Sequence, residues 1–125
     1  MKISTLMEKT VLRIDEDSTV QKAAEIMGKN HVGSLLVTKG KDDVGIITER
    51  DIMTNVIAEN RNLKETNVKE IMSKPLITVD KDADGEDVIK LMAEKGVRRV
   101  LITDRDEIVG IFSTSDITKL VRTTQ

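Results

Sequence analysis

The chain has 125 residues, which is the size of one ordinary domain and enough to bury a hydrophobic core. Its 20 basic and 22 acidic residues leave a net charge of −2, so no overall field attracts nucleic acid or an anionic membrane. The absence of cysteine excludes disulfides, thiolate nucleophiles and cysteine zinc sites. Because no apolar run approaches the roughly 18 residues of a membrane span, we expect a soluble, cytoplasmic protein.

The sequence repeats itself at a displacement of 65 residues. Aligned without a gap, residues 3–57 match residues 68–122 with 14 identities in 55 pairs. The clearest repeated phrase is GIITERD at residues 45–51, which returns as GIFSTSD at residues 110–116. We therefore predict two repeats, residues 1–59 and residues 67–125, joined by a polar linker at residues 60–66.

Each repeat has the same predicted order of elements, taken from its hydrophobic periodicity and turn residues. In the first repeat the predicted elements are a strand at 11–14, a helix beginning near Val20, strands at 34–38 and 44–48, and a helix near 49–59. In the second repeat they are a strand at 76–79, a helix beginning near Gly85, strands at 99–103 and 108–113, and a helix near 114–122.

The predicted unit is therefore β-α-β-β-α, an α/β (α+β) arrangement. The crossover helix makes its two strands parallel neighbours, and the hairpin adds an antiparallel strand. One repeat alone would leave one face of its sheet uncovered. We expect the two repeats to be related by a pseudo-twofold axis and to pack sheet to sheet.

The repeated phrase places a hydroxyl residue at the end of a strand and an aspartate three residues later. These pairs are Thr48 with Asp51, and Ser113 with Asp116. One interpretation is a helix cap, in which the carboxylate reaches back to the amide of the hydroxyl residue. The other is a ligand site, where helix amides attract an anion and the carboxylate accepts from a vicinal diol, as in phosphate beside ribose.

The tandem copies, the order of elements and the pattern Gly-apolar-X-Thr/Ser-X-X-Asp resemble cystathionine-β-synthase-type (CBS) domains arranged as a pair, the Bateman module. The resemblance covers nearly the whole chain. It implies a regulatory module that binds AMP, ADP, ATP or S-adenosylmethionine in clefts between the repeats and signals to an unidentified effector protein. It also implies a homodimer with no obligatory cofactor and no catalysis, and leaves open whether magnesium accompanies a triphosphate.

The resemblance assigns roles to residues by their position in each repeat. Asp51 and Asp116 would accept from ribose hydroxyls, and Thr48 and Ser113 would lie near the ribose or phosphate. The second repeat has Arg98 and Arg99 where the first has Gly33 and Ser34, so the arginines are the candidates for neutralising a phosphate. The adenine pocket would be lined by Thr10, Val11, Leu12, Pro75, Leu76 and Ile77.

Several alternatives stay open at this stage. The repeats could form a ligand-free structural or oligomerisation module, and a nucleic-acid-binding protein or a small nucleotide-processing enzyme is less favoured. Names relating such chains to inosine monophosphate dehydrogenase would reflect a shared module, not the oxidoreductase activity. Apolar positions of the second helices would serve self-association if they are exposed: Ile52, Val56, Ile117 and Val121.

Overall fold

The computed structural model describes residues 1–117. They divide into two compact units. The central unit is Leu12–Leu76, and the terminal unit combines Met1–Val11 with the described residues from Ile77 onward. The compact units are therefore cut differently from the sequence repeats, because the leading segment of each repeat lies with the strands of the other.

The central unit contains one three-stranded sheet in the order β1-β2-β3, with β1 parallel and β3 antiparallel to β2. Its last helix continues from α-helical into π-helical winding. In chain order the elements are β1 (Arg13–Asp15), α1 (Val20–Asn30), β2 (Ser34–Lys39), β3 (Asp42–Thr48), α2 (Glu49–Ile52) and the π-helical turn Met53–Ile57.

The terminal unit repeats this topology with a sheet in the order β4-β5-β6. Its elements are β4 (Thr78–Asp80), α3 (Gly85–Lys95), β5 (Arg99–Asp104), β6 (Glu107–Ser113) and the 3₁₀ turn Thr114–Asp116. The predicted β-α-β-β order and both helix starts are confirmed. Most of the second helix predicted near residues 114–122 lies outside the described residues.

The two long helices begin and end where the sequence provides caps. Thr19 Oγ1 accepts from the Lys22 amide at 3.1 Å, and Asp84 Oδ2 accepts from the Glu86 amide at 3.2 Å. The helices end at His31 and Gly96, whose φ angles of 55° and 65° are left-handed. This conformation lets the chain turn away from the helix axis, and His31 is an exposed C-cap residue.

Each unit has its own hydrophobic core, formed where the helix packs on one face of the sheet. The alternation of strand side chains sends every second residue to that face, as Leu35 and Val37 illustrate. The central core consists of Ile14, Val20, Ala23, Met27, Leu35, Val37, Ile47, Ile52, Val56, Val68 and Ile71. The terminal core consists of Ile3, Leu6, Val88, Met92, Val100, Ile102 and Phe112.

The strand glycines admit a neighbouring segment. A β-carbon at Gly45 would lie 2.8 Å from Met72 Sδ and 3.0 Å from the carbonyl oxygen of Ser73. At Gly110, a β-carbon would overlap Met7 and lie 3.1 Å from the carbonyl oxygen of Glu8. The absence of a side chain at these glycines allows close backbone approach, and the approaching backbone is the leading segment of the other repeat.

The predicted linker, residues 60–66, is part of the central unit and packs against the start of α1. The carbonyls of Leu63 and Thr66 accept from the amides of Gln21 and Val20 at the start of α1. Thr66 is buried, and its hydroxyl donates to the Asn62 carbonyl at 2.8 Å. These bonds satisfy two amides that a helix N-terminus otherwise leaves unpaired.

The condition that Ile52 and Val56 be exposed for self-association is not met, because both are buried in the central core. They lie four residues apart and share the face of the helical segment that packs on the sheet. The exposed apolar residues are their neighbours Met53 and Ile57, at 62% and 51% exposure. In the terminal unit Ile117 is partly buried against the core, and Val121 lies outside the described residues.

Candidate ligand-binding site

In the central unit, Asp51 lies in α2, three residues after the end of β3, with both carboxylate oxygens hydrogen-bonded. Asp51 Oδ2 accepts from the Thr48 amide at 3.0 Å, while Thr48 Oγ1 accepts from the Asp51 amide at 3.1 Å. This is the predicted capping box. Asp51 Oδ1 accepts from the Ser73 hydroxyl at 2.9 Å. The carboxylate is therefore held in one orientation by two separate chain segments.

In the terminal unit, Asp116 occupies the equivalent place after β6. Asp116 Oδ2 accepts from the Ser113 amide at 2.9 Å and from the Ser113 hydroxyl at 3.1 Å. A hydrogen bond of 2.6 Å also joins the hydroxyls of Ser113 and Ser115. Both repeats thus build the hydroxyl–carboxylate pair that the sequence predicted, and both pairs also serve as helix-start contacts.

The residues predicted before the second strand of each repeat lie beside these pairs. Ser34 pairs with Thr48 across the sheet, and the Gly33 carbonyl accepts from the Glu49 amide at 3.0 Å. Arg99 pairs in the same way with Ser113. The backbone hydrogen bond from Glu49 to Gly33 also has an equivalent in the terminal unit.

The Arg98 carbonyl accepts from the Thr114 amide at 2.9 Å, which ties this arginine to the strand end. Arg98 is exposed and Arg99 is half-buried. Among residues 1–117, neither guanidinium lies within ion-pair distance of a described carboxylate. The pairing with surface Asp or Glu that would make them purely structural is therefore not formed within the described chain.

The predicted adenine-pocket residues are divided between the two units. The Leu12 carbonyl accepts from the Leu36 amide at 2.9 Å, and the Ile77 carbonyl from the Leu101 amide at 2.8 Å. Leu12 and Leu76 are half-buried in the central unit, where Pro75 is exposed. Val11 and Ile77 are half-buried in the terminal unit, where Thr10 is exposed.

Sequence reasoning missed Ser73 and Glu8, which occupy equivalent positions one residue after the repeated methionines. Ser73 exchanges two backbone hydrogen bonds with Ile46, at 2.8 and 3.0 Å, and Glu8 does the same with Ile111. Ser73 reaches the strand-end aspartate with its side chain. The alignment of the repeats pairs these two positions, but the Ser73–Asp51 contact depends on how the leading segment is placed in the fold.

The charges around the two strand ends differ. Glu49 and Arg50 lie between Thr48 and Asp51 in the central pair, whereas Arg98 directly precedes β5 and Arg99 begins it, beside the terminal pair. The acidic turns at residues 15–17 and 80–82 are engaged elsewhere: Asp17 pairs with Lys69 at 2.7 Å, and Asp82 with Lys2 at 3.2 Å. Residues 1–117 contain no cluster of three His, Cys, Asp or Glu placed to hold a metal ion.

An open cavity of about 590 Å³ lies between the end of α1 and the start of α2 in the central unit. Its wall is mostly apolar and includes Gly28, His31 and the exposed Met53. It also touches Glu49, the first residue after Thr48. No described helix is long and apolar enough to cross a membrane.

Two segments of the chain, residues 3–58 and 68–123, match the CBS domain. The chain therefore belongs to the CBS domain family and carries two CBS domains. Across 92% of its length it is 31% identical to the CBS domain-containing protein YhcV of Bacillus subtilis, spanning 81% of that protein. It is 37% identical over 80% of its length to an uncharacterized protein of Methanopyrus kandleri, and spans 54% of it.

Solved structures share the fold. A Burkholderia ambifaria protein with CBS domains superposes with a TM-score of 0.91 at 27% identity, covering 100% of this chain and 96% of that one. The CBS domain pair of protein MJ0100, in complex with 5′-methylthioadenosine and S-adenosyl-L-methionine, has a TM-score of 0.86 at 24% identity, with coverages of 100% and 98%. The inosine-5′-monophosphate dehydrogenase of Methanocaldococcus jannaschii is 30% identical over 94% of this chain, which spans 23% of that enzyme.

Proposed function

We propose that this CBS domain pair is a regulatory module whose ligand is an adenine nucleotide of the AMP, ADP or ATP class. The strand-end carboxylates of Asp51 and Asp116 accept from the ribose hydroxyls. Thr48 and Ser113 lie beside the ribose or phosphate. Bound ligand changes the signal that the module passes to a separate effector protein, to the extent that it favours one arrangement of the module over another.

The observation that carries this proposal is the duplicated hydroxyl–aspartate pair at the end of β3 and β6. A carboxylate oxygen has two lone-pair directions, so the Asp51 oxygens retain accepting capacity beyond the bonds from Thr48 and Ser73. Both hydroxyls of a ribose are donors that match this capacity. The MJ0100 pair, which shares the fold, is described with two adenosine-containing ligands.

Arg98 and Arg99 support the phosphate part of the proposal. They directly precede or belong to β5, and Arg99 pairs with Ser113 in the sheet. Because a guanidinium presents a planar fork of donors, it binds two oxygens of a phosphate better than an ammonium does. The first repeat has Gly33 and Ser34 here, so the expected phosphate contact is stronger at the terminal unit.

The first test is calorimetric titration of nucleotide-stripped protein with AMP, ATP and S-adenosylmethionine. We expect saturable binding of an adenine nucleotide, reduced in Asp51→Ala, in Asp116→Ala and most strongly in the double variant. Asp42→Ala is the matched control, because Asp42 is an exposed carboxylate at the opposite end of β3. Absence of binding by the wild-type protein, or equal binding by the folded double variant, would contradict the proposal.

Self-association is a second candidate function, favoured by the exposed Met53, which lines the open cavity, and by the exposed Ile57 in the following turn. Adjacent exposed apolar side chains are typical of contact surfaces. Light scattering after gel filtration should show a homodimer that Met53→Asp with Ile57→Asp converts to monomer. A wild-type monomer at high micromolar concentration would exclude this function. The double substitution should leave nucleotide affinity unchanged if the two functions are independent.

A further inference from the structure

We infer that Ser73 is a positioning residue for the ribose-binding carboxylate of Asp51. This inference rests on the proposed nucleotide site and adds to it a residue from the other repeat. The Ser73 hydroxyl donates to Asp51 Oδ1 at 2.9 Å across 22 residues of sequence. The second oxygen of the same carboxylate accepts from the Thr48 amide. Rotation of the carboxylate would break one or both bonds.

The backbone of Ser73 is itself fixed on β3. Its amide donates to the Ile46 carbonyl at 2.8 Å, and its carbonyl accepts from the Ile46 amide at 3.0 Å. Met72 packs against Gly45, where the missing side chain makes room for the segment. A donor on so well-fixed a backbone orients its acceptor without ordering a mobile loop, so the carboxylate is in place before the ligand arrives.

The same segment continues directly into Pro75 and Leu76, the residues proposed to line the adenine pocket. Ser73 therefore connects the proposed ribose contact at Asp51 to the proposed base contact at Pro75, which lies two residues further along the chain. If this segment shifted to accommodate the base, the Ser73 hydroxyl that donates to Asp51 would move with it. Ser73 is exposed and Asp51 is half-buried, so their hydrogen bond lies at the surface of the protein.

The terminal unit supplies an internal comparison, because Glu8 takes the place of Ser73. Glu8 forms the same pair of backbone bonds, here with Ile111, but carries a carboxylate instead of a hydroxyl donor. Glu8 Oε1 accepts from the Thr10 amide at 3.2 Å. The residue equivalent to Thr10 is Pro75, which has no amide hydrogen and cannot form this bond. The leading segment therefore carries a hydroxyl donor at Ser73 and a carboxylate at Glu8, so the two leading segments are chemically unequal at this position.

The test isolates the central site in an Asp116→Ala background and compares AMP with 2′,3′-dideoxyadenosine monophosphate, which lacks both ribose hydroxyls. Ser73→Ala should weaken AMP binding about tenfold, as the loss of a hydrogen bond to a charged group does. The dideoxy analogue, which makes no bond to Asp51, should lose less than about twofold. Ser73→Thr, which keeps the donor, should restore AMP affinity. Ser18→Ala is the control for a serine elsewhere in the unit.

A double-mutant cycle completes the test. In an Asp51→Asn background, Ser73→Ala should have no further effect on AMP affinity, because the two residues act through one contact. Unchanged AMP binding by folded Ser73→Ala, or an equal loss for both nucleotides, would overturn the inference while leaving the proposed function intact. Absence of nucleotide binding by the wild-type protein would overturn the proposed function and the inference with it. Circular dichroism of each variant establishes that it is folded.

Discussion

Gly45 and Met72 are in such close contact that a β-carbon on Gly45 would lie 2.8 Å from the methionine sulfur. The Ser73 carbonyl oxygen would lie 3.0 Å from the same β-carbon, so backbone also occupies this space. A thioether can move, but a carbonyl held in a pair of hydrogen bonds with Ile46 resists displacement. This contact fixes the leading segment of the second repeat to a strand of the first.

Gly45→Ala should therefore destabilise the protein by about 1–3 kcal/mol, the usual effect of overpacking. The free energy of unfolding from urea titration measures the change. The Gly45→Ala substitution should also reduce AMP affinity, since Ser73 follows directly on the displaced residues. An alanine variant as stable as the wild type would show that the segment tolerates displacement and would contradict the tight contact.

Gly28→Ala is the matched opposite case. Gly28 lies in the last turns of α1, and a β-carbon there would meet no atom within 4 Å. Because alanine has the higher helix propensity, this substitution should stabilise the protein by about 0.5–1 kcal/mol. The same urea titration decides the sign. A destabilised variant would mean that the open cavity beside Gly28 is filled in solution.

Phe112→Ala should remove a large part of the stability of the terminal unit. Phe112 is the single aromatic residue of the chain and is fully buried in the terminal core. Loss of such a ring typically costs about 3–5 kcal/mol. Glu107→Ala, an exposed position on the same strand, should change stability by less than about 0.5 kcal/mol. Similar effects of the two substitutions would contradict the observed burial.

Thr48→Ala separates capping from ligand binding. Loss of the Thr48 hydroxyl that accepts from the Asp51 amide should reduce the free energy of unfolding by about 1 kcal/mol. Thr48→Ser keeps the oxygen and should retain most of that stability. If the alanine variant lost stability but bound AMP with unchanged affinity, Thr48 would be a helix cap and nothing more.

Glu70 should contribute to the loss of folding stability at low pH. The Asn67 amide at 2.6 Å and the Arg61 guanidinium at 2.7 Å both bond its carboxylate and lower its pKa below the ordinary value. Since the folded pKa is the lower one, this stabilisation is complete above the unfolded pKa and is lost as the pH falls through the folded pKa.

The Glu70→Gln variant should accordingly be less stable than the wild type at neutral pH, and the difference should close as the pH falls below the ordinary glutamate pKa. Thermal unfolding between neutral pH and pH 3 measures this convergence. Glu59→Gln, at an exposed carboxylate in the same unit, is the control for the loss of one surface charge. A constant difference between Glu70→Gln and the wild type across the range would assign the loss to geometry instead of charge.

The sequence was sufficient to predict the order of elements because the repeat doubles every local signal. The predicted helix starts near Val20 and Gly85 and the predicted strand ends at Thr48 and Ser113 agree with the structure. Local spacing does not determine which helical face meets the sheet, so the sequence leaves open whether Ile52 and Val56 are exposed. Their burial follows from the packing of α2 on the central core.

The leading segments were beyond prediction for a different reason. Residues 68–76 and residues 1–11 each pair with strands of the other repeat, at contacts such as Ser73 with Ile46 and Glu8 with Ile111. Helical or strand periodicity carries no information about pairing between distant segments. The hydrogen bond from Ser73 to Asp51 depends on that pairing, and it could be identified only from coordinates.

This exchange of leading segments has an evolutionary consequence. In a single ancestral repeat, the leading segment would not pair with its own sheet. Such a repeat would complete its core with the leading segment of a second chain, as domain-swapped dimers do. Fusion of two such genes would place both exchanged leading segments in one polypeptide. Assembly would then no longer depend on protein concentration, and each copy could carry a different residue at the equivalent position, as Ser73 and Glu8 do.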